Sequence, residues 1–157
     1  MARTRNYTVE CAKVAATVKQ DVLAVYAGAS MSFEVQGWSI AQDNISAFDN
    51  LAYRIVLLPA TVTAGSGGST PSAQPVLPSD AAATVTAHAN DTTQATTGGT
   101  ARVLYSGAVN IQNGELVLLP PDLRFVCAPS QAIVLSLDDA PANSTTISAT
   151  MFIGEQH

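Results

Sequence analysis

The stretch Leu51-Ala52-Tyr53-Arg54-Ile55-Val56-Leu57-Leu58-Pro59 is a nearly continuous apolar run, broken once by Arg54 and stopped by a proline. Its β-branched and aromatic residues suit a pleated sheet better than a helix. Eight residues is the length of a strand, and proline, which has no N–H to give to a ladder, ends it. The run therefore reads as a buried strand.

Working outward from it, short segments repeat with period two, the spacing that puts every second side chain on one sheet face. Tyr7, Val9 and Cys11 alternate with Thr8 and Glu10. Residues 22–26 form a second run that stops at Gly28. In 33–40, Phe33, Val35 and Gly37 oppose Glu34, Gln36 and Trp38, and Asp43-Asn44 then turns the chain. Further strands are expected at 102–109, 115–119, 124–127, 132–137 and 146–153, each bounded by Gly, Pro, Asn or Asp. Gln112-Asn113-Gly114 is a hairpin signal, because Asn-Gly favours the positive φ angles of a tight turn. The Ala-rich 80–89 stretch is the best helix candidate, but Thr84, Val85 and Thr86 weaken it. The expected fold is all-β: an antiparallel β-sandwich of roughly eight strands, of which the jelly roll is a common form.

Between the fourth and fifth of these strands lie residues 59–100, dominated by Gly, Ser, Thr, Ala and Pro. They include Gly65-Ser66-Gly67-Gly68-Ser69 and the prolines Pro71, Pro75 and Pro78. Loops beyond about 15 residues are uncommon in compact domains and are usually functional or disordered. Strands before this segment cannot close a sandwich without those after it, so it is not a domain linker, and residues 1–157 read as one domain. Val76, Leu77 and Val85 let the segment lie on a surface. It is read as a binding arm, the alternative being a locally packed or mobile loop. Residues 1–6, with Arg3 and Arg5, are read as an N-terminal arm able to touch an acidic partner.

Composition narrows the function. Hydrophobic residues make up 47% of the chain and charged ones 12%, about half the usual charged share. A small, neutral surface suits a protein packed against neighbours; a monomer kept in solution by its hydroxyls is the plainer reading. The net charge of -5 argues against a nucleic-acid partner, which is bound through clustered cations. The N-terminus carries no apolar stretch behind its arginines and no run approaches a membrane span, so neither secretion nor membrane insertion is expected.

Chemistry is sparse. Cys11 and Cys127 lack CxxC spacing and neighbouring histidines, so buried free thiols are expected rather than a metal or redox site. His88 and His157 are the only histidines, and a Cys127–His88 pair is an improbable nucleophile inside a β-run. No Gly-x-Ser-x-Gly elbow or phosphate cradle is present. Asp138-Asp139 reads as a turn rather than an acid–base pair, and Asp43, Asn44 and Asp49 lack the full EF-hand pattern. Trp38, Tyr7, Tyr26, Tyr53 and Tyr105 could stack sugars but fit core packing better. No enzyme activity and no cofactor are expected.

The order of features resembles the small jelly-roll decoration, or cement, proteins of tailed bacteriophages. The resemblance rests on Gln20-Asp21-Val22-Leu23, the 51–58 strand, the Gly-Ser-Gly-Gly-Ser-Thr-Pro stretch with Pro75, Pro78 and Asp80, Asn90-Asp91-Thr92-Thr93, and the closing 146–153 strand. It runs from about Thr17 onward and its motifs are loose. Where that family places glutamates, this chain has Pro120-Pro121-Asp122, a departure, and Gly154-Glu155. The resemblance implies a non-enzymatic virion protein, assembled in the host cytoplasm, that binds the outer capsid surface in many copies. Its partners would be the major capsid protein and, as homodimer or homotrimer, itself. Capsid contacts are expected at Arg3, Arg5, Gly65, Ser66, Gly67, Gly68, Pro71, Pro75, Val76, Leu77 and Pro78. A carbohydrate-binding or adhesion module of a virion is the alternative; a major capsid protein would need more basic residues to enclose a genome.

Overall fold

The computed structural model describes residues 4–43, 50–110 and 113–156. In chain order the strands are β1 (Arg5–Ala16), β2 (Asp21–Tyr26), β3 (Ser32–Gln42), β4 (Leu51–Leu58), β5 (Val62–Thr63), β6 (Gln74–Pro75), β7 (Thr86–Asp91), β8 (Thr96–Thr97), β9 (Arg102–Val109), β10 (Glu115–Leu118), β11 (Phe125–Cys127), β12 (Ala132–Leu137) and β13 (Thr145–Gln156). One 3-10 turn, Pro121–Leu123, separates β10 from β11. Among the described residues there is no α-helix, and the 80–89 stretch instead contributes most of β7.

Two antiparallel sheets carry the fold. The first has the order β10-β3-β13-β1-β6, with β11 also on β3; the second is β7-β2-β12-β4-β9. Their inner faces meet in one core, to which Val9, Phe33, Trp38 and Met151 come from the first sheet and Leu23, Tyr53, Ile55 and Leu135 from the second. Trp38 Nε1 donates to Tyr53 Oη across it at 3.0 Å, so both polar ring tips find a partner inside the core. This is a sandwich-like, all-β arrangement.

The expected alternation in β3 fails at one place. The β3–β13 register slips between Phe152 and Ile153, which face Gly37 and Val35, leaving Gln36 as an extra residue. That bulge reverses the phase, so Trp38 joins Phe33 and Val35 on the core face and is fully buried. Gly37 is needed there, because a Cβ would collide with the Val117 carbonyl oxygen.

The 59–100 segment is not a free loop. It holds four strands: β6 pairs with β1, β7 extends the second sheet beside β2, and β5 pairs with β8. Val62 and Ala95 pack on Ala24, Leu58, Ala132 and Val134, the outer face of the second sheet. This cover explains why every residue of β12 is buried.

Two further expectations change. The N-terminal arm is shorter than residues 1–6, since Arg5 and Asn6 already pair with Glu155 and Gly154; Arg3 lies outside the described residues. At the Asn113-Gly114 signal the Asn113 amide donates to the Asn110 carbonyl at 3.2 Å, but the strands on either side do not form a hairpin. β9 pairs with β4 and β10 with β3, so the chain changes sheets there. Gln112 lies outside the described residues.

Candidate functional site

The glycine-rich stretch is pinned to the edge of the second sheet. Ser69 and Ala89 exchange backbone hydrogen bonds at 2.9 and 2.8 Å, and Ser66 and Thr93 exchange a pair at 3.0 Å. Gly65 N–H donates to Tyr26 Oη and Gly68 N–H to Asp91 Oδ1, each at 3.2 Å. A Cβ on Gly65 would come within 2.6 Å of Asp91 Oδ2, and one on Gly68 would overlap the Ala89 carbonyl. Gly67 holds φ at +94°, a conformation that glycine takes without steric cost. Gly65, Ser66, Gly67 and Gly68 thus cover the open edge of β7, with Gly65 buried and the other three exposed to solvent.

Beneath them lies a buried polar cluster. Asp21 and Asp91 face each other across the β2–β7 ladder, both nearly inaccessible. Asp21 accepts from the Ala95 amide at 2.7 Å and from Gln94 Nε2 at 3.2 Å, and Gln94 also reaches Ser136. Burial raises the Asp21 carboxyl above the ordinary carboxylate range, with the Asp91 charge adding to the effect, while the amide donors pull it back. His88 Nδ1 lies 3.0 Å from Asp91 Oδ2. Asn90, with φ at +61°, kinks β7 between them, and the kink brings residues three apart on a strand into contact.

The large exposed hydrophobic side chains lie mostly elsewhere. Pro75 is held beside Tyr7, and the Val76 amide donates to the Asn6 carbonyl at 2.9 Å, yet the Val76 side chain is 62% exposed. Leu77 is exposed beside it. At the opposite edge of the first sheet Leu116, Leu118, Leu123 and Val126 are all exposed, Leu118 by 67%. Between the two edges runs a groove of about 380 Å³ lined by Val76 on one side, Leu118, Leu119 and Arg124 on the other, with Gln36 and Phe152 among the lining residues.

Of the expected contact residues, Pro75, Val76, Leu77 and Pro78 therefore cluster at the β1 edge, and Pro71 lines a separate cleft beside His88. Arg5 is built into β1. The leucines of β10 were not among the expected contacts, although Leu116, Val117, Leu118 and Leu119 in succession make a strand apolar on both faces.

The remaining chemical candidates are dispersed over the fold. Cys11 and Cys127 are buried and free, with thiols pushed by burial to about 11 and about 12. Cys127 lies in the first sheet while His88, in the second, is engaged with Asp91. Asp138 pairs with Arg54 and Asp43 with Lys13; Asn44, Asp49 and His157 lie outside the described residues. Among the described residues no three His, Cys, Asp or Glu side chains come together as a metal site, and no helix is long and apolar enough to cross a membrane. Trp38, Tyr7 and Tyr53 are buried and offer no platform to a sugar. Searches against protein-family models, curated proteins and solved structures return no match to this chain.

Proposed function

We propose that this chain is a jelly-roll decoration protein that binds the outer surface of an assembled phage head and reinforces contacts between capsomers. The strand order supports the jelly roll: β1-β13-β3-β10/β11 in one sheet and β2-β12-β4-β9 in the other is the order produced when four antiparallel strand pairs wrap around a sandwich, with β7 added at an edge. The observation that carries the functional reading is the distribution of exposed apolar side chains. Six of the eight large hydrophobics exposed among the described residues (Val76, Leu77, Leu116, Leu118, Leu123 and Val126) border the first sheet in two groups at its two edges, and exposed apolar patches mark protein contacts. The groove between them is where the major capsid protein docks, and the second sheet, covered by its own chain, faces away. Self-association as a dimer or trimer follows if copies meet at the two-fold or three-fold positions of the head.

Two measurements test this. Purified virus particles should contain hundreds of copies in a simple ratio to the major capsid protein. Val76→Asp with Leu118→Asp should weaken binding to undecorated heads at least tenfold while leaving the β-rich circular dichroism unchanged; full binding by this variant, or absence of the chain from particles, rejects the assignment.

A further inference from the structure

A second cleft, of about 450 Å³, opens beside β7, and His88 lines it. One wall carries Thr70, Pro71 and Ser72, the other Val85 and Thr86. Both walls are fixed from behind. The first hangs from the paired Ser69–Ala89 hydrogen bonds and from β6 on β1. The second is held where Glu155 Oε1 accepts from the Thr84 amide at 2.6 Å and the Val85 amide at 3.0 Å, and where Tyr7 Oη donates to the Ala81 carbonyl at 2.9 Å. The cleft is therefore formed before any ligand arrives, as small-molecule sites usually are.

The imidazole in it is oriented as a working group is. Asp91, its side chain 2% exposed, lies 3.0 Å from His88 Nδ1 through Oδ2, and its other carboxylate oxygen accepts from the Gly68 amide. Tyr26 meets the ring edge to face at 5.2 Å. With Nδ1 engaged by Asp91, Nε2 is the ring nitrogen left to meet a ligand.

We infer that this cleft binds a small uncharged polyhydroxylated ligand, a saccharide unit, with His88 Nε2 hydrogen-bonded to one ligand hydroxyl and Thr70, Ser72 and Thr86 serving others. The lining favours this class over the alternatives. No Lys or Arg lines the cleft, so a phosphate would lack its counter-charge. One imidazole without a second ligating side chain does not hold a metal ion. Three hydroxyls among Pro, Ala and Val suit a ligand that is polar at its edge and apolar on its face. The inference does not depend on the decoration reading, since the cleft lies away from the β10 edge.

The test is a heteronuclear NMR titration of the whole chain with the methyl pyranosides of glucose, galactose, mannose and N-acetylglucosamine. Saturable millimolar shifts are expected at amides of residues 70–73 and 82–88 with at least one of these. His88→Ala should weaken that binding about tenfold, the cost of one lost polar contact being about 1.4 kcal/mol. Thr86→Val, an exposed rim change that does not touch Asp91, should weaken it as well, so misfolding of one variant does not blunt the test. Absence of saturable shifts with all four sugars, or equal binding by wild type and both variants, overturns the inference whatever the outcome on phage heads.

Discussion

At the scale of single residues, glycine and aspartate carry the unexpected part of this structure. Gly68 sits where any Cβ would overlap the backbone oxygen of Ala89, and backbone cannot step aside as a flexible side chain can. Gly68→Ala should cost about 3 kcal/mol in urea denaturation, the upper range for overpacking. An unchanged midpoint would mean that the ladder at the β7 edge is dispensable. Asp21 gives a pH signature. Its carboxyl is raised by burial, so the folded state holds the proton more tightly than the unfolded one. Its contribution to stability is therefore fully present below the ordinary carboxylate value of about 3.9 and is lost as pH rises through the higher folded value. Asp21→Asn, whose neighbour Gln94 can rotate to offer its oxygen, should flatten the stability profile just above pH 4. Denaturation curves for both proteins between pH 3 and 7 check the sign; a profile unchanged by the substitution contradicts the assignment to Asp21.

At the scale of elements, the excursion between β4 and β9 is tied to the first sheet by the β6–β1 pairing and, at its second half, by one acidic side chain. Glu155, fully buried near the end of β13, accepts from the Thr84 amide, the Thr84 hydroxyl and the Val85 amide. Glu155→Ala strips the acceptor from two part-buried N–H groups, and leaving buried donors unmade costs about 1–3 kcal/mol each. Glu155→Gln keeps an acceptor oxygen and should cost less than half as much. Hydrogen exchange at residues 84 and 85 should accelerate in the alanine variant and stay slow in the glutamine one. The same excursion marks the limit of what was legible in the sequence. β4, β9 and β12 stand out because Ile, Val, Leu and Tyr fill them, and a strand dense in such residues announces itself. β7 does not, since its inward positions are Ala87 and Ala89, too small to signal burial although they pack against the core. The glycines at 65, 67 and 68 suggested reach, because composition records conformational freedom but not the close approach that uses it up. Val76 and Leu77, in a Pro- and Gly-rich segment, were readable as surface residues, and both are exposed. The His88–Asp91 contact was not, since it depends on the kink at Asn90.

At the scale of the whole molecule, the two sheets differ in how their outer faces are finished. The second is roofed by its own chain, through Val62 and Ala95. The first has no such roof among the described residues over Leu116 and Leu118, and β10 lies at its edge. Edge strands are ordinarily guarded by charge or proline. Here Pro120 and Pro121 stop the strand after four residues, but its outward side chains are leucines. In a chain of which only 12% is charged, little electrostatic repulsion opposes contact at such a place. Sedimentation velocity should therefore show association that grows with concentration. Leu116→Lys with Leu118→Lys should abolish it by setting like charges opposite each other wherever two edges meet. Because both side chains are already in solvent, folding stability should change by no more than about 0.5 kcal/mol. Association that survives the two lysines would move the contact to the Val76–Leu77 knuckle on the β1 side, and a loss of stability would mean that the leucines serve the fold rather than a partner.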